Sequence, residues 1–201
     1  MPQPYSKLPV KMAVFASGGG SNAQQIIRYF HQSNLAQVSL IVCNKKGAGV
    51  LQVAEAAGID TLLIERETFF NGDGYVPQLQ AAGIQLVVLA GFLWKVPQSL
   101  IDAFPRRIVN IHPALLPKYG GKGMYGQHVH AAVKEAGEAE SGITIHYVDE
   151  HYDHGDVIFQ TTCPISTQDD ATAIAAKVLQ LEHHHYPRVI ESIVKELVEQ
   201  G

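Results

Sequence analysis

Cysteine, tryptophan and formal charge are all scarce in this chain of 201 residues. Two cysteines, Cys43 and Cys163, make no disulfide framework. Both sit in apolar runs, the pattern of buried thiols in a reduced, cytoplasmic chain. Charged residues amount to 17%, and 15 Lys+Arg against 19 Asp+Glu leave a net charge of −4. That balance argues against broad electrostatic binding to nucleic acid or to a membrane surface. No apolar run approaches the roughly 20 residues that a membrane helix needs. The G-x-S-x-G elbow of many hydrolases is missing, and so are H-E-x-x-H and C-x-x-C, which leaves little support for a zinc site. Segment 1–9 holds three prolines and no apolar core. It reads as a loose leader and not as a signal peptide.

What the chain does hold is hydrophobic residues, at 46%. A chain of this length buries roughly 70% of the surface it exposes when unfolded. Strand-like runs at 11–16, 38–43, 61–64, 84–90 and 108–111 alternate with helix-like stretches at 23–31, 50–57, 76–82 and 100–104. This βαβα alternation predicts a parallel, doubly wound sheet with right-handed crossovers. Gly58 and Gly83 stand where helices stop. The segment 112–126 is rich in Gly, Pro, Lys and Tyr and reads as a long loop, a kind that is usually functional. Beyond it come a helix at 128–136, strand-like runs at 142–148 and 157–163, and two terminal helices at 169–182 and 188–199. His183, His184 and His185 fall in helical context, at a surface or a site edge.

Three constellations can carry chemistry. Ser17-Gly-Gly-Gly-Ser-Asn22 follows a strand and opens a helix. Glycines let backbone approach a ligand, and a helix N-terminus offers free N–H groups to a phosphate. The plain alternative is a tight turn capped by Ser21 or Asn22. Asn110-Ile111-His112-Pro113 stands at the C-terminal end of a parallel strand, where open α/β sheets place their ligands. Residues two apart on a strand project together, so Asn110 and His112 form a pair able to grip an oxyanion. Taken alone, an Asn-x-His is usually structural. The polar run 149–156 reads mostly as a solvated loop, yet a carboxylate from it can reach His112. His146 is either a core histidine or a third polar group of the site. Six of the ten histidines fall between His112 and His154, but only His128-x-His130 and His151-x-x-His154 come near to metal-ligand spacing.

Read together, the motifs 15–22, 88–93, 109–119 and 142–148, with Asp153-x-Gly155, occur in an order that resembles the phosphoribosylglycinamide formyltransferase family. The resemblance spans about 11–187. It implies a Rossmann-like formyltransferase fold: one catalytic domain over 1–201, with a mostly parallel sheet and an antiparallel C-terminal addition. It further implies formyl transfer from 10-formyltetrahydrofolate to glycinamide ribonucleotide in purine synthesis, with small-molecule substrates only, no metal, and a monomer or homodimer. By the same resemblance, Gly20, Ser21 and Asn22 hold the ribonucleotide phosphate and Glu182 contacts the ribonucleotide. Asn110, His112 and Asp153 are catalytic, and His146 has a counterpart beside them. Leu93, Trp94, Lys95 and Val96 line the pterin pocket, and Arg66 matches a basic residue that contacts folate. Two departures stand out. The 120–126 loop is Gly-Gly-Lys-Gly-Met-Tyr-Gly, with Lys122 and Tyr125 as candidate contacts, and His154 replaces a glycine. Related formyltetrahydrofolate hydrolases carry an extra N-terminal domain, and methionyl-tRNA formyltransferases an RNA-binding C-terminal domain. A non-catalytic nucleotide-binding module is the reading outside enzymes.

Overall fold

The alternating apolar and amphipathic segments build a single sheet in the computed structural model, which describes residues 9–199. The expected leader falls almost wholly outside the described residues. In chain order the elements are β1 (Val10–Ala16), α1 (Ser21–Phe30), β2 (Ala36–Cys43), α2 (Gly49–Ala57), β3 (Asp60–Leu63), α3 (Arg66–Asn71), α4 (Val76–Ala81), β4 (Leu86–Leu89), α5 (Gln98–Ala103), β5 (Ile108–His112), α6 (Gln127–Glu135), β6 (Glu140–Tyr147), β7 (Val157–Pro164) and α7 (Ala171–Glu199).

Strand order across the sheet is β3-β2-β1-β4-β5-β6-β7. Pairing is parallel from β3 through β5, and antiparallel for β5 with β6 and β6 with β7. The doubly wound sheet with an antiparallel addition is therefore the observed architecture. The direction of winding reverses between β1 and β4. Ligands in open α/β sheets bind at such a switch point, outside the carboxyl ends of the strands.

The central strands are apolar along their length because helices cover both faces. Met12, Val14, Ile41, Val88 and Val109 pack with Ile26, Val50, Ile174 and Tyr186 on one face. Phe15, Val42, Val87 and Leu89 pack with Phe69, Leu79 and Leu100 on the other. Fully burying each such large side chain contributes about 1.5–3 kcal/mol. The Tyr186 hydroxyl, wholly buried, donates to the Leu89 carbonyl at 2.8 Å and so ties α7 to the sheet.

Two sequence expectations need correction, and one helix, Arg66–Asn71, falls where the sequence pattern assigned no element. The two terminal helices are one, because Pro187 lies inside α7. Proline there removes one backbone donor, but the buried contacts of Glu182, Tyr186 and Ile190 hold both halves on one axis. Cys163 is only half buried, unlike Cys43, because β7 is an edge strand with one open face.

Candidate active site

Strand β5 ends in the pair Asn110 and His112, and both line one cavity of about 480 Å³. Ile111 between them is buried in the core, as alternation along a strand requires. The antiparallel register sets Asn110 opposite His146 and His112 opposite Thr144. The Thr144 hydroxyl donates to the Ala114 carbonyl at 2.7 Å and accepts the Leu116 N–H at 3.0 Å. That clamp turns the chain directly after His112.

Hydrogen-bond partners assign the protons. His146 Nδ1 lies 2.8 Å from the Tyr147 carbonyl. A carbonyl only accepts, so Nδ1 carries the hydrogen and Nε2 presents a lone pair. Asn110 Nδ2 donates to that lone pair at 3.1 Å. Burial pushes the His146 pKa down, against smaller upward pulls from the Tyr147 carbonyl and Asp153. The ring is therefore a neutral acceptor that fixes which way the Asn110 amide faces. One N–H of Asn110 remains for a ligand.

His112 is held differently. Its Nε2 donates to the Tyr119 carbonyl at 2.7 Å. Its Nδ1 faces Asp153 Oδ1 at 3.6 Å, with both side chains largely shielded from solvent. Because Nε2 donates to Tyr119, Nδ1 is the nitrogen turned toward the carboxylate. Asp153 sits at φ 56, a left-handed conformation that aspartate tolerates better than most residues. Its second oxygen accepts the Gly121 N–H at 2.8 Å. The loop after β6 thus returns to the end of β5. His154 is not among the residues with positive φ.

Two openings meet at these residues. The large cavity runs from Asn110, His112 and Asp153 toward Asn22 and Glu182, between the 121–127 loop and α7. A smaller cleft of about 70 Å³ lies on the other side, walled by Trp94, Lys95, Val96 and His146. Asn110, Tyr152 and Asp153 border both openings.

Of the glycine-loop segment 17–22, Asn22 lines the large cavity, and Gly20 and Ser21 do not. Gly20 is the N-cap of α1 with φ 81, and no side chain caps the helix, contrary to the Ser21 or Asn22 alternative. A Cβ on Gly20 would stand 2.8 Å from the Val50 Cα, so this close approach needs glycine. Ser17 anchors the loop across the switch point: its hydroxyl accepts the Leu93 N–H at 3.0 Å. Asn22 is buried, and its Nδ2 donates to Glu182 Oε2 at 2.6 Å. Its Oδ1 is buried with no partner among the described residues. Burial pushes the Glu182 carboxyl pKa up, and the Asn22 hydrogen bond pulls it partly back. Ser21 is exposed at the start of α1.

The expected folate residues divide. Trp94, Lys95 and Val96 wall the smaller cleft. Leu93, half exposed, lies on the side of the large cavity instead. Arg66 borders neither opening. Its guanidinium stacks at 5.0 Å from the Phe70 ring and 6.0 Å from Trp94, at the outer edge of the cleft. Lys122 and Tyr125 do border the large cavity. Sequence reasoning missed Tyr119, Gly121, Tyr152 and the cavity position of His130. The first two act through backbone groups, and only the Gly-Gly pair at 120–121 hinted at a close approach. Among the described residues, no cluster of three His, Cys, Asp or Glu is placed to hold a metal ion. None of their helices is long and apolar enough to cross a membrane.

Comparison with known proteins agrees with this geometry. Residues 10–190 match the formyl transferase family. The phosphoribosylglycinamide formyltransferase of Bacillus subtilis is 37% identical over 189 residues, covering 92% of this chain and 94% of that protein. The chloroplastic enzyme of that name from Arabidopsis thaliana is 41% identical over 194 residues, covering 94% of this chain. The chain spans 66% of that plant relative's length. The solved structure of glycinamide ribonucleotide transformylase 1 from Symbiobacterium toebii superposes with a TM-score of 0.86 at 29% identity, covering 93% of this chain and 88% of that one. With nearly its whole length matched and the strand-end pair, glycine loop and returning aspartate in place, this chain belongs to the formyl transferase family, on its phosphoribosylglycinamide formyltransferase branch.

Proposed function

We propose that this protein transfers the formyl group of 10-formyltetrahydrofolate to the amine of glycinamide ribonucleotide, giving formylglycinamide ribonucleotide and tetrahydrofolate in purine synthesis. The observation that carries the reading is the meeting of two openings at Asn110 and Asp153. A two-substrate transfer needs its donor and acceptor to arrive from different sides at one reacting carbon. The large cavity, with the α1 N-terminus and Glu182 at its far end, suits the phosphorylated acceptor. The cleft beside Trp94 and Val96 offers the flat apolar wall that a pterin needs.

In this mechanism the acceptor amine attacks the formyl carbon, and the carbonyl oxygen becomes an oxyanion. The free N–H of Asn110 and the Nδ1–H of protonated His112 stabilise that charge, an effect of about 3–4 kcal/mol per donor. Asp153 faces His112 Nδ1 and orients the ring. Directly or through water, it also moves the proton from the attacking amine to the leaving folate nitrogen. The bond from the formyl carbon to that nitrogen then breaks. His146 orients Asn110 and takes no proton. Gly20, Ser21 and Asn22 bind the phosphate end, and Glu182 the ribonucleotide. Trp94, Lys95 and Val96 hold the folate, with Arg66 at its outer edge. The protein acts on small molecules in the cytoplasm, as a monomer or homodimer.

The test is release of tetrahydrofolate by the purified chain with and without glycinamide ribonucleotide. Release that depends on the ribonucleotide, with one formylated product per folate, is expected. Release without it would make the protein a hydrolase. Binding of both ligands without turnover would make it a binding module.

A further inference from the structure

One imidazole in the large cavity has no part in the mechanism above. His130 lies on α6, borders the cavity, and is only 6% exposed. Its Nδ1 is buried without a partner, and neither ring nitrogen hydrogen-bonds to any described residue. Its neighbours on the same helix, Val129 and Val133, are ordinary core residues. An apolar side chain at position 130 would pack as well with nothing left unpaired. A buried polar group without a partner costs about 1–3 kcal/mol, so this imidazole calls for a ligand.

Its place decides which ligand. His130 shares its cavity with Asn22, Lys122 and Glu182, and is absent from the cleft walled by Trp94 and Val96. Burial, reinforced by the nearby charge of His112, pushes the His130 pKa down. A neutral ring supplies one N–H and one lone pair, which match the hydroxyl, amide and phosphate oxygens of a phosphorylated sugar amide.

We infer that His130 is a binding residue for the acceptor ribonucleotide, hydrogen-bonding one of its polar groups from the α6 wall of the cavity. The inference rests on the formyl transfer proposed above. It deepens that reading by adding a contact on the acceptor side alone. The wall it names is continuous with the glycine-rich 120–126 loop, whose residues 121–126 line the same cavity.

The experiment uses His130→Leu and His130→Gln in the full-length protein. Steady-state kinetics are measured against each substrate, alongside calorimetric titration of glycinamide ribonucleotide without folate. His130→Leu is expected to melt at or above the wild-type temperature, because it removes an unpaired polar group. Its KM and Kd for the ribonucleotide should rise about tenfold, the loss of one good hydrogen bond. KM for the folate should stay within about twofold, and His130→Gln should recover part of the loss. An unchanged ribonucleotide affinity, or a loss confined to the folate, overturns the inference. If His130→Leu fails to fold, titration of His130→Gln decides: ribonucleotide affinity between wild type and a tenfold loss supports it, and wild-type affinity overturns it. Wild-type turnover is measured in parallel. Failure of the wild type to formylate the ribonucleotide removes the parent reading. Normal wild-type turnover with an indifferent His130 removes only this inference.

Discussion

Nδ1 of His112 stands 3.6 Å from Oδ1 of Asp153, while the other oxygen of that carboxylate is held by the Gly121 N–H at 2.8 Å. The aspartate is thus anchored by the loop that follows the histidine. The histidine is anchored in turn by Tyr119 of the same loop, at 2.7 Å. The arrangement closes on itself, so a shift in any one member moves the others.

His112→Ala should lower kcat by a factor of about 10² or more, because it removes an oxyanion donor. Asp153→Asn should act on kcat by a similar factor, while its side-chain oxygen still accepts from Gly121. Circular dichroism and melting curves check that both variants fold. Steady-state kinetics then decide, and kcat near wild type would take that residue out of the chemistry.

His146 acts only through Asn110 in this scheme. Asn110→Ala should cost about 10²–10³ in kcat, as expected for the loss of an oxyanion donor. His146→Leu removes the lone pair that aims the amide, and should cost less, about tenfold. The double variant should be no slower than Asn110→Ala alone. A double-mutant cycle reads this directly, and additive losses would give His146 a separate role.

Gly155 controls the approach of the catalytic loop. A Cβ built there runs into the Tyr147 carbonyl, a backbone atom that cannot move aside cheaply. Gly155→Ala should destabilise the fold by about 1–3 kcal/mol and displace Asp153. Thermal melts and kcat should fall together. Gly18, whose added Cβ meets no atom within 4 Å, is the control for melting temperature.

Glu182 is a buried carboxyl whose ionisation costs stability. Its folded pKa is raised above 4.5, chiefly by burial. The folded state therefore holds its proton more tightly than the unfolded chain. Its favourable contribution is complete below about 4.5 and is lost as pH rises through the folded pKa. Glu182→Gln does not ionise, so its melting temperature should gain on wild type as pH is raised from 4.5 toward 8. KM for the ribonucleotide should rise in the same variant. Melts at the two ends of that range, with kinetics near neutrality, check both halves. A gain that is the same at both ends would show that the carboxyl carries no such cost.

Much of this protein was legible before any coordinates. The apolar run at 84–90 announced a strand covered on both faces, and β4 is its fully buried centre. Gly58, read as a helix stop, is the left-handed C-cap of α2. Asn110 and His112 project together because the pleat allows nothing else. The failures were also physical. The terminal segments 169–182 and 188–199 read as two helices, yet buried neighbours on either side of Pro187 outweigh one lost hydrogen bond and keep them one. The hydrogen bond from the Asn22 amide to Glu182 was not legible, because the two residues stand 160 positions apart in the chain.

Most of the alternation of strands and helices, the projection of Asn110 and His112 to one side, and the glycine loop were determined by sequence alone, because hydrophobic period, turn chemistry and strand pleat act over a few residues. Only the tertiary structure decided that His146 aims Asn110, that a loop glycine holds Asp153 to His112, and that His130 lines the large cavity. Those contacts depend on antiparallel register and on the path of two loops, which are set by the packing of residues far apart in the chain.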